Sequence, residues 1–167
     1  MTLPILIAHR GNVTGPKPES ENDPEYLRAA LEMGYDVECD VELSASGVRW
    51  FLNHEGNPKI YTLDDPRDLA RGAYRQRVWF HAQDPRTLMK LAEIGLRGFF
   101  HTGEDVVMTT TGDFWFYPGK EPSFGGTKVV QVLNSDTVSG ANLNAAAICS
   151  DYVDDIYHRY YLTGENL

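Results

Sequence analysis

YDVECDVEL, residues 35–43, is the stretch on which the reading of this chain turns. Taken with a period of two, it splits into two faces: Val37, Cys39, Val41 and Leu43 on one, Asp36, Glu38, Asp40 and Glu42 on the other. Side chains on one face of a strand sit about 6.8 Å apart. Four carboxylates in such a row repel one another unless water or a cation separates them. Read alone, the stretch favours a half-exposed strand with a solvated acidic face, because ionic clusters are often structural. The alternative is a row in which two neighbours chelate one hard divalent ion through oxygen.

The segments around it organise as strand–loop–helix–strand. Upstream, residues 3–8 (LPILIA) form a short apolar run that suits a strand buried on both sides and ends abruptly in His9-Arg10-Gly11. A polar loop rich in Pro and Gly follows, and then DPEYLRAALEMG, residues 23–34. There Asp23 can cap, Pro24 suits the first turn, Gly34 suits the left-handed end, and Leu27, Ala30 and Leu31 form the buried stripe. Downstream, SASG is a turn, residues 48–53 return as a second strand, and His54 follows it.

Residues 65–72 are a short helical candidate, and 78–81 (VWFH) another buried strand. DPRTLMKLAEIG, residues 84–95, then repeats the first helix with identical Asp, Pro, Leu, Glu and Gly positions. Two matching strand–helix units imply right-handed crossovers and a largely parallel sheet. Residues 98–101 are a further strand ending in His101, 105–117 a β-hairpin turning near Gly112-Asp113, 128–133 and 147–150 strands, and the tail a short helix.

In α/β sheets and barrels, sites form at the carboxyl ends of parallel strands. Four strand ends carry proton-transferring or metal-capable groups: His9, Glu38 with Asp40, His81, and His101. A lone histidine in such a place is more often a satisfied structural residue, but several converging on a carboxylate pair are harder to explain that way. His158, in the polar tail, is expected at the surface.

The ordered set IAHRG, then Glu21-Asn22, then GYDVECDVELSASGVRWFLNHE resembles the glycerophosphodiester phosphodiesterase family across residues 7–55. ICSDYVDD, residues 148–155, is similar to that family's last strand. The resemblance implies an α/β, TIM-barrel-like fold of the PLC-like phosphodiesterase type, acting on a small-molecule phosphodiester with one divalent cation, Mg2+ or Ca2+ (or Mn2+). It further implies Glu38, Asp40 and Glu21 as metal ligands, His9 and His54 as the general acid–base pair, and Arg10 as a phosphate contact. For Glu21 a solvated loop carboxylate is the rival reading, with Glu19 as an alternative ligand. The chemistry agrees: the diester's charge must be neutralised, its nucleophile deprotonated and its leaving oxygen protonated.

The chain also departs from that pattern. Where the family has a later E-x-K strand, the counterpart here is His81-Ala82-Gln83. His81 is therefore either an imidazole ligand in the glutamate's place or a core polar residue. His54 precedes Glu55 where the family commonly has Asp. A complete eight-unit barrel rarely fits in under about 200 residues. With 167 residues, a reduced or irregular barrel with a β-hairpin insertion is expected, any open edge being covered by the tail or by a second copy in a homodimer. Residues 114–117 are candidates for that cover or for a substrate wall, and core packing is the commoner role for such aromatics. His101, Trp115 and Asp151 are expected to line the site.

Bulk properties bound the rest. The length suits one domain, residues 1–167. With 15 Lys and Arg against 24 Asp and Glu, the net charge is −9, which argues against nucleic acid or an anionic membrane surface as partner. No apolar run approaches the ~20 residues of a membrane span. The N-terminus lacks the basic start and long apolar run of a signal peptide, so a cytoplasmic address is the default. The two cysteines show no ligand spacing and are expected to be reduced core residues. Three functions fit: hydrolysis, attack by a substrate hydroxyl to give a cyclic phosphate, and phospho-ligand binding without turnover. In this setting the acidic row narrows to Glu38 and Asp40, with Asp36 deeper along the strand and Glu42 at the rim.

Overall fold

The computed structural model describes residues 3–54, 57, 59–120, 128–131, 138 and 140–163. Glu55, most of the loop after Pro118, and the end of the strand expected over 128–133 lie outside them. The strands are β1 Ile5–His9, β2 Asp36–Leu43, β3 Trp50–Leu52, β4 Tyr61–Leu63, β5 Val78–Ala82, β6 Gly98–Phe99, β7 Val106–Met108, β8 Phe114–Phe116, β9 Lys128–Gln131 and β10 Ala147–Ser150. The helices are α1 Pro24–Glu32, α2 Pro85–Glu93, α3 Gly140–Leu143 and α4 Val153–Ile156, the last running on into a wider turn over Tyr157–Leu162. None of the described helices is long and apolar enough to cross a membrane.

β2 is the centre of the sheet. It pairs in parallel with β1 and β5 and, along its C-terminal half, antiparallel with β3, which continues into β4. β1 pairs in parallel with β10, β10 with β9, and β9 with β8, while β5 pairs in parallel with β6. The parallel path is therefore β6-β5-β2-β1-β10-β9-β8, with β7 folded back antiparallel on β8 as the expected hairpin. Between β6 and β8 no ladder forms among the described residues. Instead the Thr110 N–H donates to the Gly98 carbonyl at 2.8 Å and the Gly98 N–H to Thr110 Oγ1 at 2.9 Å. Phe99 stacks on Trp115 across the same gap, ring centroids 4.2 Å apart.

The result is a reduced, TIM-barrel-like α/β architecture with two apolar layers. Inside lie Ile7, Trp79, Phe99, Trp115, Val129, Ala147 and Cys149, contributed by six of the parallel strands. Outside, Val37, Cys39 and Val41 of β2 and Val78, Phe80 and Ala82 of β5 pack with Leu27, Ala30 and Leu31 of α1 and with Leu91 of α2. Each fully buried leucine contributes roughly 1.5–3 kcal/mol. Both long helices carry the caps their sequences announce. Asp23 accepts from the Glu25 N–H, Asp84 from the N–H groups of Arg86 and Thr87, and Gly34 lies at φ 103°.

The acidic face of β2 is not solvated, which corrects the reading of that strand in isolation. Asp36, Glu38 and Asp40 are buried, and of the four only Glu42 is exposed. The cause is curvature. Alternation places these side chains on the inner face of a sheet that curls round, so the face that water would cover on a flat edge becomes the barrel interior. Asp36 sits lowest, taking a bond from Arg77 Nε at 3.1 Å and from Trp79 Nε1 at 3.1 Å. Other local expectations also shifted. Residues 65–72 hold a 3-10 turn, Pro66–Asp68, with a second one starting at Gly72, and β4 and α3 occupy stretches read as loop.

Candidate active site

Parallel register brings the polar residues together at one end of the strands. His9 is level with Glu38, and Asp40 with His81. All four point inward, because Cα partners in parallel strands share a face. The strand-end groups named from the sequence therefore converge.

His9 is held from behind. Its Nδ1 is 2.8 Å from Asp151 Oδ1, the residue directly after β10, while its Nε2 points towards Glu38 Oε2 at 3.9 Å. With the carboxylate accepting from Nδ1–H, Nε2 is left as the basic nitrogen. Burial lowers the imidazole's pKa, but the hydrogen bond to Asp151 and the charges of Glu38 and Asp151 outweigh it, so the pKa is raised.

Arg10 follows at φ 52°, a left-handed conformation uncommon for a side chain of this size. That turn aims its backbone N–H at Glu38 Oε2 (3.2 Å) and carries its guanidinium to Asp40 Oδ2 (Nε, 3.0 Å) and Glu21 Oε2 (Nη1, 3.2 Å). Asn22, also left-handed at φ 64°, clasps Asp40 from both sides. Its Nδ2 donates to Asp40 Oδ2 at 3.0 Å, and its Oδ1 accepts the Asp40 N–H at 2.9 Å. Asn12 bridges two carboxylates, donating to Glu21 Oε1 (2.9 Å) and Asp151 Oδ1 (2.8 Å).

Asp40 and Glu38 differ sharply in their surroundings. Burial opposes ionisation of Asp40, but the His81 hydrogen bond, the charge of Arg10 and the Asn22 amide hold its pKa down at about 2. Glu38 is pushed up, first by burial and then by the charge of Asp40. Among the described residues its hydrogen-bond backing is a single backbone N–H, from Arg10. Glu38, Asp40 and His81 each offer one ligand atom within 4.8 Å of the others. That donor set fits a divalent cation: two carboxylates and an imidazole, one carboxylate thinly hydrogen-bonded and nearly sealed from water.

A cavity of about 220 Å³ opens onto His9, Arg10, Glu38 and His81, with His54 also on its wall. Its far side is aromatic. His81 stacks on Phe99 (centroids 4.9 Å) and on His101 (4.7 Å), and His101 lies against Tyr117 (4.3 Å). Burial, then the neighbouring His81, lowers the pKa of His101. Trp115 is at once a core residue and part of this wall.

Of the residues named from the sequence, His9, Arg10, Glu38, His54, His81, His101 and Trp115 line this one cavity. Asp151 stands behind His9. Glu21 is buried at the edge of the cluster, its two oxygens taken by Asn12 and Arg10, and is not one of the three close donors. Glu19 is exposed, as is His158, which pairs with Asp154 at 3.6 Å. Sequence reading missed Asn12 as a bridge, Asn22 as the clamp on Asp40, and Gln83, which donates to Asp40 Oδ1 at 3.0 Å. Asn22 was within reach as the second residue of the EN pair, since asparagine is among the side chains that tolerate left-handed backbone.

No family model matches the chain, and no curated protein matches it in sequence. In fold it is similar to the crystal structure of a glycerophosphodiester phosphodiesterase from Parabacteroides distasonis, with a TM-score of 0.62 and 14% identity, over 97% of this chain and 98% of that one. At that identity the likeness is one of fold.

Proposed function

We propose that the chain is a metal-dependent phosphodiester hydrolase of the glycerophosphodiester phosphodiesterase type. The observation that carries this reading is the convergence, in one cavity at the carboxyl ends of the strands, of an Asp151-backed His9, His54, Arg10 and the Glu38–Asp40–His81 donor set. The fold of the Parabacteroides enzyme supports it.

Glu38, Asp40 and His81 would hold the cation, which supplies charge neutralisation at the nonbridging phosphate oxygens. Arg10 adds fixed positive charge at the cavity wall, braced by Asp40 and Glu21 so that it need not reorganise as charge develops. His9, with Nδ1–H committed to Asp151, presents Nε2 for proton transfer. His54 supplies the complementary transfer from the same cavity. One imidazole takes a proton from the attacking water as its oxygen bonds to phosphorus. The other gives a proton to the departing alkoxide as the P–O bond breaks, leaving a phosphomonoester and an alcohol.

The test is hydrolysis of an aryl phosphodiester and of glycerophosphodiesters by the purified chain with Mg2+, Ca2+ or Mn2+. Metal-dependent turnover is expected, abolished by chelation and by His9→Ala or His54→Ala. Equal activity in those two variants sinks the assignment, and phosphorus NMR of the products separates hydrolysis from cyclic-phosphate formation.

A further inference from the structure

We infer that His81 makes this centre a transition-metal site, selecting ions such as Co2+ or Zn2+ over Ca2+ and Mg2+. The inference rests on the metal site of the proposed function and specifies its occupant.

Three observations carry it. The first is donor chemistry. Of the three close donors, one is an imidazole nitrogen, which suits first-row transition ions, whereas Ca2+ and Mg2+ favour all-oxygen shells. The second is spacing. His81 Nδ1 lies 2.9 Å from Asp40 Oδ1 and 3.9 Å from Glu38 Oε1. Adjacent ligands about 2.1 Å from an octahedral ion are about 3.0 Å apart, whereas at the ~2.4 Å typical of Ca2+ they are about 3.4 Å apart. The close pair thus fits the smaller ions, Mg2+ among them, and argues against Ca2+; the choice against Mg2+ rests on the imidazole donor. The third is preorganisation. The ring of His81 lies nearly parallel to those of Phe99 and His101, with interplanar angles of 6° and 14°. Those ring contacts, with the Nδ1–Asp40 hydrogen bond at 2.9 Å, hold the imidazole with Nδ1 directed at the carboxylates.

In the absence of a cation, Nδ1 must carry a proton to bond with Asp40 at 2.9 Å. Binding through Nδ1 requires the proton to leave that nitrogen, as it does in the neutral tautomer that carries its proton on Nε2. Gln83, donating to the same Asp40 oxygen at 3.0 Å, adds a neutral donor there. The positive charge at the centre must then come from the ion and Arg10.

The test uses the full chain stripped with a chelator and the metal ions alone. Calorimetric or competition titration is expected to give Co2+ and Zn2+ affinities at least about tenfold above those for Mg2+ and Ca2+. Pulsed EPR of the Mn2+-loaded protein is expected to show nitrogen coupling from a directly bound imidazole. His81→Glu should remove that coupling and narrow or invert the preference. His81→Gln, which keeps a neutral hydrogen-bonding side chain, should remove it too if His81→Glu does not fold. Ca2+ or Mg2+ binding as tightly as Co2+ overturns the inference, and so does nitrogen coupling that persists in both variants. Selective, nitrogen-coupled binding without diester turnover would leave this inference standing and remove the phosphodiesterase reading. Turnover without selectivity would do the reverse.

Discussion

Replacing Asp151 by Asn isolates what its charge does to His9. The substitution is nearly isosteric. The side-chain oxygen that accepts from His9 Nδ1 and from Asn12 Nδ2, both at 2.8 Å, can keep both bonds as an amide oxygen. What is lost is the charge. A hydrogen bond to an ionised partner contributes about 1.5–3 kcal/mol against about 0.5–1.5 for a neutral one, a difference of roughly 1–1.5 kcal/mol. At 1.36 kcal/mol per unit, the His9 pKa should fall by about one unit. Burial, which already opposes protonation, then weighs more heavily. The sign for stability follows. In the parent chain His9 has a folded pKa above its unfolded one. It therefore contributes stability that is fully present below the unfolded value of about 6.5 and is lost as pH rises through the folded value. In Asp151→Asn that contribution shrinks. The assay is an imidazole nitrogen–proton NMR titration of the metal-stripped protein, paired with urea midpoints across the same pH range. An unchanged His9 pKa in a folded Asp151→Asn variant would refute the claim that Asp151 sets it.

Three other outcomes follow from the geometry. Gly98→Ala would place a Cβ 2.9 Å from Leu91 Cδ1 and 3.2 Å from the Phe80 carbonyl oxygen. It should lower the unfolding free energy by about 1–3 kcal/mol in urea titrations with an unchanged slope. Arg10→Met strips the buried Asp40 and Glu21 of their shared cation. It should destabilise the metal-stripped chain by about 3 kcal/mol, and a saturating divalent ion should restore part of the loss in thermal melts. Because burial and Asp40 raise the pKa of Glu38, protons compete with the cation for it. Metal affinity measured calorimetrically should therefore keep climbing as pH rises above the ordinary carboxylate range, and climb less in Glu38→Gln.

Local signals were legible where the physics is local. The repeated Asp-Pro starts of α1 and α2 need only their own side chains to cap and their own proline to preset the first turn. Both helices therefore lie where periodicity and punctuation place them. The alternation of β2 likewise separates Val37, Cys39 and Val41 from Asp36, Glu38 and Asp40 whatever surrounds it. β4, three residues long, lacks enough period to announce itself, and it exists because β3 offers it an edge. His101 reads as a strand end, whereas β6 stops at Phe99 and His101 is instead held by stacking on His81 and Tyr117.

For the site, residue type and order along the chain already put His9, Glu38, Asp40, His81 and His101 in one expected cluster. That inference needs only the rule that parallel strands deliver their ends to the same side, whereas His54, which follows the antiparallel β3, was expected there from the family resemblance. The fate of the acidic row was a different matter. Whether a carboxylate on β2 meets water or the barrel interior depends on curvature, and curvature is set by contacts between residues far apart in sequence, such as Gly98 with Thr110 and Phe99 with Trp115. The parallel pairing of β1 with β10, equally long-range, brings Asp151, 142 positions away, onto His9, and Asn12 bridges Glu21 and Asp151. The sequence by itself determined which groups alternate on β2 and which stand at strand ends. Only the tertiary structure decided that Asp36 is a buried partner of Arg77 and Trp79, and that Glu38 and Asp40, a strand repeat apart, stand on the inner face of a curled sheet with His81 beside them. Pairing and burial belong to that curled geometry, whereas periodicity belongs to the chain.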